Sequence, residues 1–203
     1  MAGDVAGRLL RPLPIEQAAR LLGAYAWSER RLFEALGAWA ADEVSAAAAV
    51  LFDAQSQQHA WHAALFEERL PLLAHLPAGD VIAPPSPEVG RAMDGLGAMA
   101  GTLVRLATMA RLVLPRLVAG YRAHLLATAA ITDAPVVRAL RLVLRDEVEA
   151  WVEAESLVQA LAGAERGASL AAAWEVLGRI EASLGLSGPG LAQWPGSSPT
   201  TAP

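Results

Sequence analysis

The chain has 203 residues and a mass of 21.2 kDa, which fits one domain with a single hydrophobic core. Its net charge is −5, and acids and arginines are interleaved, so the sequence offers no basic surface for nucleic acid or an anionic membrane. It contains neither cysteine nor lysine, which excludes disulfides, thiolate chemistry, iron–sulfur ligation and Schiff-base catalysis. We therefore expect no nucleic-acid partner and no membrane partner.

The first predicted helix, A, runs from Ile15 to about Ala40, where apolar residues recur at spacings of three and four. Glu29 occupies one of the inward-facing positions of that pattern. The preceding segment, residues 1–14, lacks the basic and apolar regions of a signal peptide, so we expect a cytoplasmic protein.

The second predicted helix, B, runs from about Asp42 to Leu70 and is closed by Pro71. The middle of its core-facing stripe turns polar, with His59 and His62 at positions that share one face of a helix. Helix B is therefore expected to aim two imidazoles into the core.

A proline-rich linker over residues 71–87 is long enough to carry the chain from one end of a helical bundle to the other. The third helical region, C, begins near Glu88, is weakened by four glycines, and is most regular from about Thr102 to Ile131. Pro115 predicts a kink in it, and His124 lies on its inner stripe.

The fourth predicted helix, D, begins at the cap before Pro135, ends at about Ala162, and carries Glu147 on its apolar face. A shorter fifth helix is expected from about Ala168 to Leu184. The remaining residues, 185–203, are rich in Gly, Pro, Ser and Thr and are expected to be disordered. The prediction is an all-α protein with one helical domain over residues 15–184.

The inward-facing polar residues form the candidate site. Each lies between the middle and the last third of its helix, so all of them can reach the same depth in the interior of the bundle. Imidazole with carboxylate is a ligand set for Fe, Mn, Zn or Cu. The candidate metal ligands are Glu29, His59, His62, His124 and Glu147.

The stretches that carry these residues resemble the ferritin-like superfamily, in its bacterial branch of ferritin-like domains outside the iron-storage ferritins. The resembling stretches are YAWSERRLFEALGAW at 25–39, QSQQHAWHAALFEERLP at 55–71 and YRAHLLATAAITDAPVVRALRLVLRDEVEAW at 121–151. The resemblance implies a ferritin-like four-helix bundle with a long crossover between helices B and C, here followed by a short fifth helix.

The di-iron members of that family use a Glu on each of two helices and a Glu-x-x-His pair on each of the other two. Glu29, His62 and Glu147 match the residue types of that pattern. His59 and His124 stand where glutamates are expected, and Ala150 stands where the helix D histidine is expected. The resemblance therefore implies a divergent site without di-iron chemistry.

Two functions remain open. In the first, the histidines bond to the glutamates without metal, and the protein acts structurally or through contacts with a protein partner or in a homodimer. In the alternative, the site holds one divalent ion, iron or manganese, in an oxidoreductase, because two carboxylates balance one such ion but not two. A small hydrophobic ligand between the helices is a third class.

Two neighbours of the candidate ligands receive structural interpretations. Asp146 and the acids that follow Glu147 are expected to be solvated, because most of their positions point away from the core face. Tyr121, one turn from His124, is assigned to core packing, with a hydrogen bond to the site or a role as a redox-active phenol as the alternatives.

Overall fold

The computed structural model describes residues 13–128, 131–164 and 168–183, and over these residues the chain is helical without a β-strand. The prediction of an all-α protein is confirmed. The expected disordered tail, 185–203, and most of the N-terminal segment, 1–14, lie outside the described residues. None of the described helices is long and apolar enough to cross a membrane.

We number the helices in chain order. They are α1 (Ile15–Asp42), α2 (Ala46–Glu67), α3 (Ala78–Val81), α4 (Pro87–Leu96), α5 (the consecutive segments Thr102–Thr108, Met109–Val113 and Leu114–Ala127), α6 (Ala134–Ala164) and α7 (Ala168–Ser183).

Helix α2 begins four residues later than predicted because Ser45 acts as its N-cap. The Ser45 hydroxyl accepts a hydrogen bond from the backbone N–H of Ala48, and the residue itself is extended. This cap separates α2 from α1, so the two long helices form a hairpin with a short connection.

The crossover after α2 contains more structure than the linker predicted for residues 71–87. It includes α3, and Ser86 then caps α4 by accepting from the backbone N–H of Val89. The third helical region is divided between α4 and α5 at Gly101, whose φ of 92° lies in the region that favours glycine.

The crossover lies directly on α1 at Gly23. A Cβ atom added there would be 2.1 Å from the carbonyl oxygen of Val81, which is closer than any real contact. Ala19, Leu76 and Val81 form a small second core at this point. Glycine at position 23 therefore allows the crossover backbone to touch the helix.

Helix α5 is irregular one turn before the predicted kink at Pro115. Residues Met109–Val113 form a π-helical turn, directly before the α-helical segment in which Pro115 occupies the first turn. The Arg116 guanidinium donates to the Leu112 carbonyl oxygen, with 2.6 Å between nitrogen and oxygen, and so provides that oxygen with a hydrogen bond.

One main core connects the long helices. Helix α1 packs against α2, α2 against α6, and α5 against α6, while α7 packs against α5. The main core includes buried apolar residues of each, such as Leu36 of α1, Phe52 of α2, Leu117 of α5, Leu140 of α6 and Leu177 of α7. Side chains from the four longest helices therefore share one interior.

The close contact at Gly23 predicts the effect of a single methyl group. We expect Gly23→Ala to destabilise the protein by about 1–3 kcal/mol, because the methyl group must displace the crossover backbone. Gly178→Ala is the matched control, since nothing lies within 4 Å of its added Cβ and alanine favours a helix. Thermal unfolding of both variants checks this, and equal stability of Gly23→Ala and the wild type would contradict it.

Candidate metal centre

Four of the five candidate ligands meet in the interior. Glu29 comes from α1, His59 and His62 from α2, and Glu147 from α6, and each is at most 1% exposed. One ligand atom from each residue can be chosen so that all four atoms lie within 4.8 Å of one another. The group of Glu29, His59, His62 and Glu147, hereafter the centre, could hold a metal ion.

The ligand atoms of the centre lie close to the separations that one coordination shell requires. His59 Nδ1 lies 2.5 Å from Glu29 Oε2 and 3.4 Å from Glu147 Oε1. His62 Nδ1 lies 3.6 Å from Glu29 Oε2 and 3.1 Å from Glu147 Oε1. Ligands about 2.1 Å from an ion are roughly 3.0–3.4 Å apart in an octahedral or tetrahedral shell, so a small adjustment would complete it.

The electrostatics of the centre favour added positive charge. Burial by itself raises the pKa of Glu29, but the charges and hydrogen bonds of His59 and His62 outweigh burial and hold that pKa below its usual range. Burial raises the pKa of Glu147, and the nearby charge of Glu29 raises it further. Two carboxylates this close repel one another unless protons or a cation lie between them.

The imidazoles respond to those carboxylates. Burial alone would lower the pKa of both histidines, because a charged ring loses its hydration. Glu147 and Glu29 outweigh burial, so the pKa of His59 is raised and the pKa of His62 reaches about 10. Without metal, the centre is therefore a hydrogen-bonded ion network in which the imidazoles hold protons.

Asp146 orients one of the histidines, which differs from the solvated position predicted for it. Its Oδ2 atom lies 3.2 Å from Nε2 of His62, and its side chain is only 26% exposed. A carboxylate on Nε2 places the proton there and leaves Nδ1 free to face the other ligands, which is the usual outer contact of a metal-bound histidine. The adjacent pair Asp146-Glu147 is the sequence signal that identifies this contact in retrospect.

Tyr121 provides the second outer contact. Its hydroxyl donates to Oε1 of Glu29, whose other oxygen faces His59, and burial together with the charge of Glu29 raises the pKa of the phenol well above its usual value. The phenol therefore remains a hydrogen-bond donor. It also packs edge-on against Tyr25 with ring centroids 4.8 Å apart, so the packing role and the alternative hydrogen bond are both present.

His124 does not join the centre, in contrast to its predicted role as a ligand. Tyr121, three residues earlier on the same face of α5, takes the position that faces Glu29. His124 instead lies against the ring of Tyr25, with centroids 5.6 Å apart, and burial lowers its pKa to about 4. It is a buried, neutral histidine outside the ligand group.

Ala150 is buried at the position where the ferritin-like pattern has a histidine. The side chain of Gln55, one turn before His59, extends towards it, and Gln55 Nε2 donates to the Ala150 carbonyl oxygen at 3.2 Å. A neutral amide therefore packs against helix α6 in this region. Neither Gln55 nor Ala150 adds a charged metal ligand there.

Two buried polar atoms of the centre have no hydrogen-bond partner: Nε2 of His59 and Oε2 of Glu147. The free oxygen allows Glu147 to coordinate an ion through one oxygen or through both. The donor set fits a divalent transition metal, because it combines two nitrogen and two carboxylate ligands in a water-excluded interior.

Comparison with known proteins finds no matching family model, no matching curated protein and no matching solved structure.

The hydrogen bond from Tyr121 to Glu29 predicts a stability effect that requires no metal. We expect Tyr121→Phe to lower the free energy of unfolding by about 1–3 kcal/mol, because it leaves a buried carboxylate oxygen without its donor. Thr108→Val is the control: the Thr108 hydroxyl is buried on α5 without a partner, so its removal should be neutral or stabilising. Chemical denaturation of metal-free protein measures both, and equal effects would contradict the assigned role.

Proposed function

We propose that the protein binds one divalent transition-metal ion, iron or manganese, in a ferritin-like helical bundle. The observation that carries this proposal is the centre itself, with four buried ligand atoms from three helices within 4.8 Å of one another. Buried ionisable groups are costly unless they have partners, and a metal ion would be a partner for all four at once.

Charge supports one ion rather than two. A divalent ion would displace the protons held by the imidazoles, and the two carboxylates would neutralise its charge. Two divalent ions would bring four positive charges against two buried carboxylates, which is unfavourable in a low-dielectric interior. Asp146, at 26% side-chain exposure, contacts the outer nitrogen of His62, so it does not serve as a third carboxylate ligand.

The arrangement of helices supports the ferritin-like part of the proposal. Helices α1, α2, α5 and α6 are the long ones, and a crossover with two short helices joins the two hairpins. The ligands come from α1, α2 and α6, while α5 supplies the supporting phenol of Tyr121. This matches the way ferritin-like bundles build sites from facing helices.

We further propose that the metal-loaded protein is an oxidoreductase. Four protein ligands leave open positions on an ion that prefers six, and iron or manganese bound there would supply redox chemistry. The chain's own contribution is to exclude water, to orient His62 through Asp146 and to orient Glu29 through Tyr121. The alternative is a metal-free structural module, in which the same ion network only holds the helices in register.

Metal titration distinguishes these functions. We expect purified protein, stripped and reloaded anaerobically with Fe²⁺ or with Mn²⁺, to bind about one ion per chain, and His62→Ala to abolish that binding. His75→Ala is the matched control, because His75 is 67% exposed in the crossover and should leave binding intact. Elemental analysis after desalting gives the stoichiometry. No retained metal in the wild type would support the metal-free module, and equal metal in His62→Ala would show that the ion binds outside the centre.

The outer contact of His62 predicts a smaller effect. We expect Asp146→Asn to preserve the stoichiometry but weaken metal affinity by roughly 10–100-fold, because the amide does not hold the Nε2 proton as a carboxylate does. Glu149→Gln, an exposed acid on the same helix, should change affinity little. Competition with a chelator of known affinity reports the ratio, and similar affinities for both variants would show that Asp146 has no orienting role.

A further inference from the structure

Asp146 is the polar residue that connects the centre with the surface. Its side chain is 26% exposed, and its Oδ2 atom lies 3.2 Å from Nε2 of His62, a ligand that is itself fully buried. The two residues face each other across the line of contact between α2 and α6, hereafter the α2–α6 seam. Gln58 and Leu65, which share the face of α2 that carries His62, are only partly buried. The seam therefore leads from the solvent to Asp146, and from Asp146 to His62.

The hydrogen-bond partners of the other ligands are buried. Tyr121, which donates to Glu29, has no exposed surface. The remaining polar contacts of the centre each join two of its own ligands. Among the described residues that hydrogen-bond to the ligands, Asp146 is therefore the one that reaches the solvent.

Other residues around the centre are apolar. Leu32 of α1, Ala63 of α2 and Val143 of α6 are all buried, and each lies three or four residues from a ligand on its own helix. A divalent ion that crossed such a shell would lose its hydration without gaining ligands, which is costly. A path that begins at a carboxylate lowers this cost, because a carboxylate oxygen replaces a water ligand of the ion.

We propose that Asp146 is the entry residue of the centre: it binds the incoming divalent ion at the α2–α6 seam, and His62 then admits the ion to the other ligands. This inference rests on the proposed metal binding and adds the route by which the ion arrives. A carboxylate at the mouth of a site attracts cations and raises their association rate. The neighbouring Arg145 forms its ion pair with Glu149, at 3.0 Å, rather than with Asp146.

His62 is suited to admit the ion because its two ring nitrogens face different sides of the seam. Nε2 contacts Asp146, whereas Nδ1 faces Glu29 and Glu147 inside the centre. The half-exposed ring of Trp61 packs against the imidazole, with centroids 5.5 Å apart, so His62 lies directly beneath the surface. Rotation of the imidazole away from Asp146 opens the seam. This motion is smaller than the separation of two packed helices.

An entry role and an orienting role of Asp146 act on different rate constants. Without an entry residue the ion is captured less often, so association becomes slower. Without an orienting contact the bound ion is held less firmly, so dissociation becomes faster. The loss of affinity expected for Asp146→Asn should therefore reside in the association rate.

Uptake of Mn²⁺ by the metal-free full-length protein tests the route. Disappearance of the EPR signal of aqueous Mn²⁺ gives the association rate, and transfer of bound Mn²⁺ to excess chelator gives the dissociation rate. We expect Asp146→Asn to slow association by roughly tenfold or more and to change dissociation by less than about threefold. Asp146→Glu keeps the charge at the seam, so its association rate should stay within about threefold of the wild type.

Glu153→Gln is the matched control. It removes the same charge from an exposed position of α6, seven residues or about two turns beyond Asp146, and should leave both rates nearly unchanged. Added salt should slow association of the wild type more than that of Asp146→Asn, because salt screens the charge that the variant lacks. Circular dichroism verifies that each variant is folded.

The outcomes distinguish the route from the metal site itself. A wild type that takes up no Mn²⁺ would overturn the proposed function together with the route. If the wild type takes up one ion per chain, association of Asp146→Asn at the wild-type rate would overturn the route alone. Equal slowing in Glu153→Gln, or an Asp146→Glu rate as low as that of Asp146→Asn, would also overturn the route.

Discussion

The constraint on which the rest of the structure depends is the burial of two carboxylates in one interior. Glu29 and Glu147 are at most 1% exposed, and an ionised carboxylate without partners there would be prohibitively costly. Their partners, His59 and His62, both come from α2, which lies between the two glutamate-bearing helices. Each polar contact therefore also fixes the rotation and axial position of α2 relative to α1 and α6. A helix turned by one residue would break the contacts and leave charges unpaired in the core.

The residues around the centre orient its side chains as well as hydrogen-bonding to them. The Tyr121 hydroxyl bonds to one oxygen of Glu29, and Asp146 contacts the outer nitrogen of His62, so the other Glu29 oxygen and Nδ1 of His62 face each other within the centre. Such outer contacts are what distinguish a prepared ligand set from an accidental cluster of ionisable groups. Their positions divide the work among the helices: α1, α2 and α6 supply candidate ligands, and α5 supplies the support.

The position of the centre could be predicted from the helical repeat of apolar residues and from the polar residues that interrupt it. Glu29, His59, His62 and Glu147 interrupt apolar stripes, and the helical repeat suffices to predict that they point inward. The same reasoning placed His124 among the ligands and Asp146 in solvent, and the structure places neither there. Both differences arise at the edge of a stripe. Positions 121 and 124 share a face of α5, so the helical pattern alone does not say which of them reaches Glu29. Asp146 lies beside the core face of α6, close enough for its side chain to reach His62 on α2.

The sequence by itself thus determined the all-helical class, the long helices, the crossover and the five inward-facing polar residues, all of which are buried. These features depend on local propensity and on a periodicity that each segment carries alone. The tertiary structure decided which inward residues meet, which neighbours orient them, and where the crossover touches α1 at Gly23. It also decided that the outer face of α2 is left exposed. The physical reason is that these outcomes depend on distances between helices, and a helical repeat specifies only the face on which a residue lies.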